Sequence, residues 1–381
     1  MLTATKPNRH LSNAQRLSWL RLIRSENVGP STFRELLNHF GSAQAALDAL
    51  PDISARGGKK TYRPCTEDKA LREMEALSAL GGRLVAMGEP DYPARLHHID
   101  APPPLLSVRG KPVTNISKSL AIVGARNASL SGKKMAYVLA AELSQAGYVI
   151  VSGLARGIDS AAHAASLKNG TVGVFAGGVD HIYPDENIPL CHSMLEANGA
   201  VLSEMPLGWK PRARDFPRRN RLISGISLGT IIIEAAKKSG SLHTARFALE
   251  QGREVFAVPG SPLDPRSEGA NRLIQQGAYL VNDSQDVLSA LDTLNQPFLP
   301  FSEDGDQSID IPENHWKPAS TEARPDQRRA ITQALSATPT DIDELARHAA
   351  MPVSAVRIVL LELELAGKLE RHTRNRVSLV L

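Results

Sequence analysis

Seven short apolar runs alternate with amphipathic stretches between about Val108 and Leu294: Leu120 to Val123, Tyr148 to Val151, Val172 to Phe175, Ala200 to Leu202, Thr230 to Ile233, Val255 to Val258 and Tyr279 to Val281. Runs this short, rich in β-branched residues and without a polar alternate face, suit strands covered on both sides. That condition belongs to parallel sheets, whose neighbouring strands must be joined by crossovers. Right-handed crossovers on both faces give a doubly wound, Rossmann-like α/β domain.

The flanks have other periods. From Ala14 to about Leu80, apolar residues recur every three or four positions (Leu17, Leu20, Ile23; Phe33, Leu36, Leu37, Phe40; Leu47, Leu50), which predicts a small helical domain. Its turn Asn27-Val28-Gly29-Pro30-Ser31, followed by a helix ending at Phe40-Gly41, weakly matches helix-hairpin-helix modules, but short helices need such turns anyway and the ordinary-turn reading is favoured. Beyond Arg324, helices over Gln327 to Leu335, Asp341 to Ala349 and Ser354 to Ala366, then a hairpin over Lys368 to Leu381, spell a winged helix, with Ser354 as expected N-cap. Its third helix is mixed in charge, so duplex binding does not follow from the fold. Proline, acid and polar residues without a period fill 294–324, expected as a flexible linker. The expected domains are thus 1–85 helical, 86–293 Rossmann-like, 294–324 linker and 325–381 winged helix.

A chain of 381 residues can bury such cores without covalent staples. Cys65 and Cys191 show no CxxC and no zinc-ligand spacing, so two reduced thiols and no metal are expected. Residues 1–20 lack the apolar core of a secretory signal, and no window offers about eighteen uncharged apolar residues. The expectation is a soluble, cytoplasmic protein. Net charge is +4, with a pI near 9.0, which permits a polyanionic partner without requiring one. The local excess says more: WKPRARDFPRRNRL, Trp209 to Leu222, sets Lys210, Arg212, Arg214, Arg218, Arg219 and Arg221 against Asp215 alone.

In an open parallel sheet, ligands meet the loops at the strands' carboxyl ends. Gly124-Ala125-Arg126-Asn127 follows the first buried run; its glycine permits close approach, Arg126 offers a two-pronged phosphate contact, and free amides at the next helix start favour an anion. It lacks the Walker A spacing. Ser152 to Ser160 adds Gly153, Gly157 and Arg156, without the GxGxxG spacing of dinucleotide binders, and with Asp159 or Ser160 able to cap. Phe216-Pro217-Arg218-Arg219-Asn220-Arg221, expected as a third loop, joins an aromatic face to guanidinium groups, suiting single-stranded nucleic acid if it is not a solvated helix face. Lys237 to Ala245 supplies Lys238, Gly240, Ser241 and Thr244 for another anion nest, or for ordinary capping. Glu234, His163 and His243 hint at acid–base chemistry, but no activated nucleophile accompanies them, so no catalytic set and no cofactor are expected.

Taken in series, IVGARNAS (Ile122–Ser129), SGLARGIDSAAH (Ser152–His163), FPRRNRLISG (Phe216–Gly225) and SGSLHTARFALEQGREVFAVPG (Ser239–Gly260) resemble the DNA-processing protein A (DprA/Smf) family. The resemblance covers about Ser107 to Leu291. It implies a sterile-alpha-motif-like N-terminal domain, a Rossmann-like core and a winged-helix tail. It further implies a non-enzymatic protein of natural transformation that binds single-stranded DNA, protects it and loads the recombinase RecA, as a homodimer through the core, in the region from Val255 to Ala290. The family's Gly-Ser/Thr/Ala-Arg motif falls on Gly124-Ala125-Arg126, where Ala125 lacks a hydroxyl, and its basic-aromatic DNA segment on Phe216 to Arg221. The competing reading is a nucleotide hydrolase similar to the phosphoribohydrolases, whose PGGxGTxxE loop would place Ser239, Ser241 and His243 at the proline, second and third glycines, Thr244 at the threonine, and Phe247 where the catalytic glutamate belongs. Without that carboxylate, glycosidic cleavage lacks its polar catalyst.

Overall fold

The computed structural model describes residues 10–59, 61–111, 116–295, 324–372 and 375–380. From the amino end come α1 (Asn13–Ile23), α2 (Pro30–Phe40), α3 (Ala43–Arg56) and α4 (Glu67–Ala79). Ser12 and Gln15 form a capping box on α1, Ser42 caps α3, and Gly41 ends α2 in the left-handed region at φ 75°. Trp19 meets Phe33 edge-on at 5.1 Å, in a small core with Leu20, Leu36 and Leu50.

The central elements are β1 (Gly82–Ala86), β2 (Leu105–Gly110), β3 (Ser119–Gly124), α5 (Leu130–Gln145), β4 (Val149–Ser152), α6 (Ile158–Ala165), β5 (Thr171–Val174), α7 (Ile188–Glu196), β6 (Ala200–Ser203), α8 (Asp215–Ile226), β7 (Gly229–Ile233), α9 (Ser241–Glu250), β8 (Glu254–Ala257), α10 (Glu268–Gln275), β9 (Tyr279–Leu280) and α11 (Ser284–Asn295). The sheet order is β1-β2-β6-β5-β4-β3-β7-β8-β9, parallel from β6 through β9, with β1 and β2 antiparallel at one edge. The seven apolar runs form β3 to β9. Alternate residues of β3 serve opposite faces: Leu120 and Ile122 pack with Leu139 and Leu143 of α5, while Ala121 and Val123 join Leu222 and Ile226 of α8. Each such fully buried Leu or Ile contributes about 1.5–3 kcal/mol. Burial on both faces is what made these strands uniformly apolar. The chain winds outward from β3 to β6 and then returns to place β7 on β3's other side, so the order reverses between β3 and β7.

The carboxyl-terminal elements are α12 (Pro325–Ala334), β10 (Thr340–Asp341), α13 (Ile342–His348), α14 (Val353–Leu365), β11 (Leu369–His372) and β12 (Arg376–Leu379), a winged helix with a three-stranded sheet. Pro352, not Ser354, is the N-cap of α14, and no side chain caps it. Proline has no N–H to leave unpaired and its fixed φ suits the extended cap, so the helix begins at Val353, one residue before Ser354, which falls inside its first turn. Among the described residues two compact units result: one of Glu73–Ile99 and those within 105–295, the other uniting His10–Arg72 with Asp100–Pro104 and those within 324–380. The expected linker lies almost wholly outside the described residues. Both cysteines are buried and free. Among the described residues, no helix is long and apolar enough to cross a membrane.

Candidate nucleic-acid interface

Where the strand order reverses, the loops after β3 and β7 diverge and leave an open groove of about 790 Å³. This is the place a doubly wound sheet offers a ligand. The backbone there is tightly stacked. Ala125 N donates to Ile233 O (3.3 Å) and Ile158 N to Ala125 O (3.3 Å). A Cβ on Gly124 would fall 1.8 Å from Ile233 O, and one on Gly157, already at φ 78°, would fall 2.3 Å from Ala125 O. Both positions therefore demand glycine.

Held this way, Arg126 extends over the groove with its guanidinium carbon 5.1 Å from the Phe216 ring centroid. Tyr183 packs against the same ring at 5.6 Å. The result is an exposed cation lying on an aromatic plate. The helix start beside it is not the open anion site expected from sequence. Glu234 accepts from Ser129 N at 2.8 Å and from Ser129 Oγ, and Ser129 Oγ caps Gly132 N at 2.9 Å. A carboxylate already occupies that positive end of α5, so the loop's contribution reduces to presenting Arg126. In the Ser152–Ser160 turn, Asp159 does not cap α6; its carboxylate accepts from Gly153 N (3.0 Å) and Ala155 N (3.3 Å), and Ser160 Oγ donates to Gly157 O.

The Phe216–Arg221 segment is not a loop but the opening of α8, and its helical period divides the cluster. Phe216, Arg219, Asn220 and Ile223, at i, i+3, i+4 and i+7, line the groove. Arg218 and Arg221 point elsewhere, to Glu204, whose side chain is 8% exposed; Arg218 Nε approaches it at 3.4 Å and Arg221 Nη2 closer still. Arg219 lines the groove without being a free cation: it is 6% exposed, and Nη1 donates to Gly153 O (2.9 Å) and Val174 O. Burial pushes its guanidinium pKa down to about 10, partly opposed by Asp159, whose own carboxyl burial holds above its ordinary range. Both effects have one cause, desolvation.

Across the groove, α9 starts at Gly240 without a side-chain cap; Ser241 Oγ bonds Ser239 Oγ at 2.7 Å, and Asn220 Nδ2 donates to Gly240 O at 3.3 Å. Exposed Lys238 and His243 and buried Thr244 complete that wall. Arg156 sits in an adjoining pocket of about 340 Å³ with Arg126, Tyr183 and Phe216, and pairs with Glu186 at 2.9 Å. The sequence reading missed Glu204, Tyr183 and Arg266, the last also lining the groove. An acid two residues after the apolar run Ala200–Leu202 was a usable signal for Glu204. His163 lies buried away from the groove.

Residues 83–292 match the family model described as DNA recombination-mediator protein A. The chain belongs to that family. Residues 13–76 match its DprA-like N-terminal HHH domain, and residues 316–373 the DprA winged helix domain. Among relatives, the DNA processing protein DprA of Bacillus subtilis is 45% identical over 238 residues, 61% of this chain and 80% of that one. Protein Smf of Escherichia coli is 42% identical over 280 residues, 72% of each chain. The X-ray structure of DNA processing protein A from Streptococcus pneumoniae superposes with a TM-score of 0.59 at 35% identity, covering 73% of this chain and 98% of its own. A solved structure of DNA processing protein A from Helicobacter pylori, described for its single-stranded DNA binding mode, gives 0.51 at 30% identity, covering 57% of this chain and 98% of its own.

Proposed function

We propose that this protein binds single-stranded DNA in the groove between the β3 and β7 loops, as a non-enzymatic cytoplasmic protein that protects incoming DNA and loads RecA in natural transformation. The observation that carries the reading is the exposed Arg126 guanidinium lying on the Phe216 ring at the switch point. A ring offers stacking to an unpaired base, and a cation beside it meets the adjoining phosphate; a duplex hides its base faces. Lys238, Arg156, Asn220, the uncapped start of α9 at Gly240–Ser241, and Thr244 continue the polar track on either side. Arg218 and Arg221 act through Glu204, fixing α8, and Arg219 forms the floor. The relative from Helicobacter pylori, described for its single-stranded DNA binding, supports this choice of ligand. Dimerisation through the β8–α11 region is part of the proposal; Tyr279 and Leu280 there expose 42% and 44% of their surfaces at the sheet's edge.

Fluorescence anisotropy of a labelled oligo-dT and its duplex at two salt concentrations tests the site. Arg126→Ala is expected to weaken single-strand affinity about ten-fold and to flatten the salt dependence by about 0.7 in logarithmic slope, one phosphate contact fewer. Phe216→Ala should lose about 1–3 kcal/mol of stacking and, since Arg126 rests on that ring, should couple to the first substitution in a double-mutant cycle. Wild-type affinity in both variants would move the site elsewhere.

A further inference from the structure

The N-terminal helices and the winged helix share one compact unit, and α14 is what joins them. In many helix-turn-helix proteins the helix in this position enters a major groove. Here only Ser354 and Arg357 of α14 are exposed. One side of α14, with Val356, Val359, Leu360 and Leu363, fills the winged helix's own core. The other side is taken by α2 and α3.

That second contact is specific and close. Asn27 Nδ2 donates to Leu365 O at 3.1 Å, and Thr32 Oγ1 to Glu364 Oε1 at 2.8 Å. Arg371 donates from Nε to Glu364 (2.8 Å) and from Nη1 and Nη2 to both oxygens of Glu35 (3.0 and 2.5 Å). Lys368 Nζ donates to Gly57 O at 2.8 Å. At Gly57 the two backbones nearly touch: a Cβ there would lie 2.0 Å from Glu362 O and 2.9 Å from the Ala366 Cβ. Gly57 has an ordinary φ of −72°, so glycine serves the approach and not the local conformation. Glu362 is itself buried against Arg328, with bonds of 2.7 and 2.8 Å. The carboxyl half of α14 thus carries acids that phosphates would meet unfavourably.

We infer that the winged helix is a clasp for the N-terminal helical domain of its own chain, and that α14 is a docking strut and not a duplex-reading helix. The Asn27–Ser31 turn, similar in sequence to helix-hairpin-helix modules, finds its role in the same contact through Asn27 and its neighbour Thr32. This inference does not rest on the single-strand reading of the groove.

Hydrogen exchange of the full chain tests it. Gly57→Val is expected to speed exchange about ten-fold or more, together, in α2, the end of α3 and the carboxyl half of α14, while peptides of β3 and β7 keep their rates. Glu35→Arg should do the same by setting two guanidinium groups face to face, and Glu35→Arg with Arg371→Glu and Glu364→Gln, the last removing the acid that Arg371→Glu would otherwise face, should restore protection, which a misfolded domain would not. Unchanged α14 exchange in Gly57→Val, or no rescue by the charge swap, overturns the clasp. A labelled duplex gives the second arm: Arg357→Glu should leave its affinity within about two-fold of wild type, and a loss well beyond that would return α14 to duplex reading.

Discussion

Arg219→Ala is expected to lower the stability of the protein by about 3–5 kcal/mol, since it leaves two buried carbonyls without a donor and a buried carboxylate without its facing cation. The side chain answers two carbonyls, Gly153 O and Val174 O, and its charge faces buried Asp159. Alanine leaves both carbonyls without that donor, opens a void under the groove, and strips Asp159 of the cation that offsets its desolvation. Urea unfolding should show a lower midpoint at unchanged slope. Asp159→Asn combined with Arg219→Met should be more stable than Arg219→Met alone, because no charge is then left buried. A loss below about 1 kcal/mol in Arg219→Ala would mean that the guanidinium is solvated. Weakened DNA binding in this variant is to be compared with its lost stability, whereas exposed Arg126 separates the two.

Acid is expected to destabilise the protein through His163. Its Nδ1 lies 2.7 Å from Thr171 Oγ1, and that hydroxyl donates onward to Ile150 O at 2.9 Å, so Nδ1 carries the proton and faces the hydroxyl's lone pair. Nε2 is buried with no hydrogen-bond partner among the described residues. Burial, helped by the Arg219 charge, pushes the pKa down to about 3. An unfolded chain protonates this ring below about 6.5 while the folded chain resists, so folding loses stability as pH falls through that window: about 2 kcal/mol at pH 5 and about 4 near pH 3. Asp159, with a raised carboxyl pKa, contributes in the opposite direction, and comparing wild type with His163→Gln cancels that common term. The variant's stability should fall less steeply between pH 7 and 4.5. Parallel curves would show that His163 titrates normally.

The difference between readable and unreadable features lies in the range of the interaction. The strands β3 to β9 were legible because burial on both faces leaves each residue no choice but to be apolar. The edge strands β1 and β2 escaped detection, since Arg83, Ser107 and Arg109 interrupt their apolar residues. The basic cluster was legible as composition but not as geometry: a helical period of 3.6 sent Phe216, Arg219 and Asn220 to the groove and left Arg218 and Arg221 to Glu204. The anion site expected at α5 failed for a similar reason, because its occupant, Glu234, is 105 residues away along the chain.

By itself the sequence determined the doubly wound sheet, the loops at its carboxyl edge, the helical and winged-helix flanks and the family, because periodicity, glycine placement and motif order are local properties. The tertiary structure alone decided which cations face the groove, that Arg219 is a buried floor, and that residues as distant as Asn27 and Leu365 meet across α14. Those outcomes depend on which carboxylates and carbonyls folding brings within hydrogen-bonding reach, and a linear pattern of residues does not carry that distance.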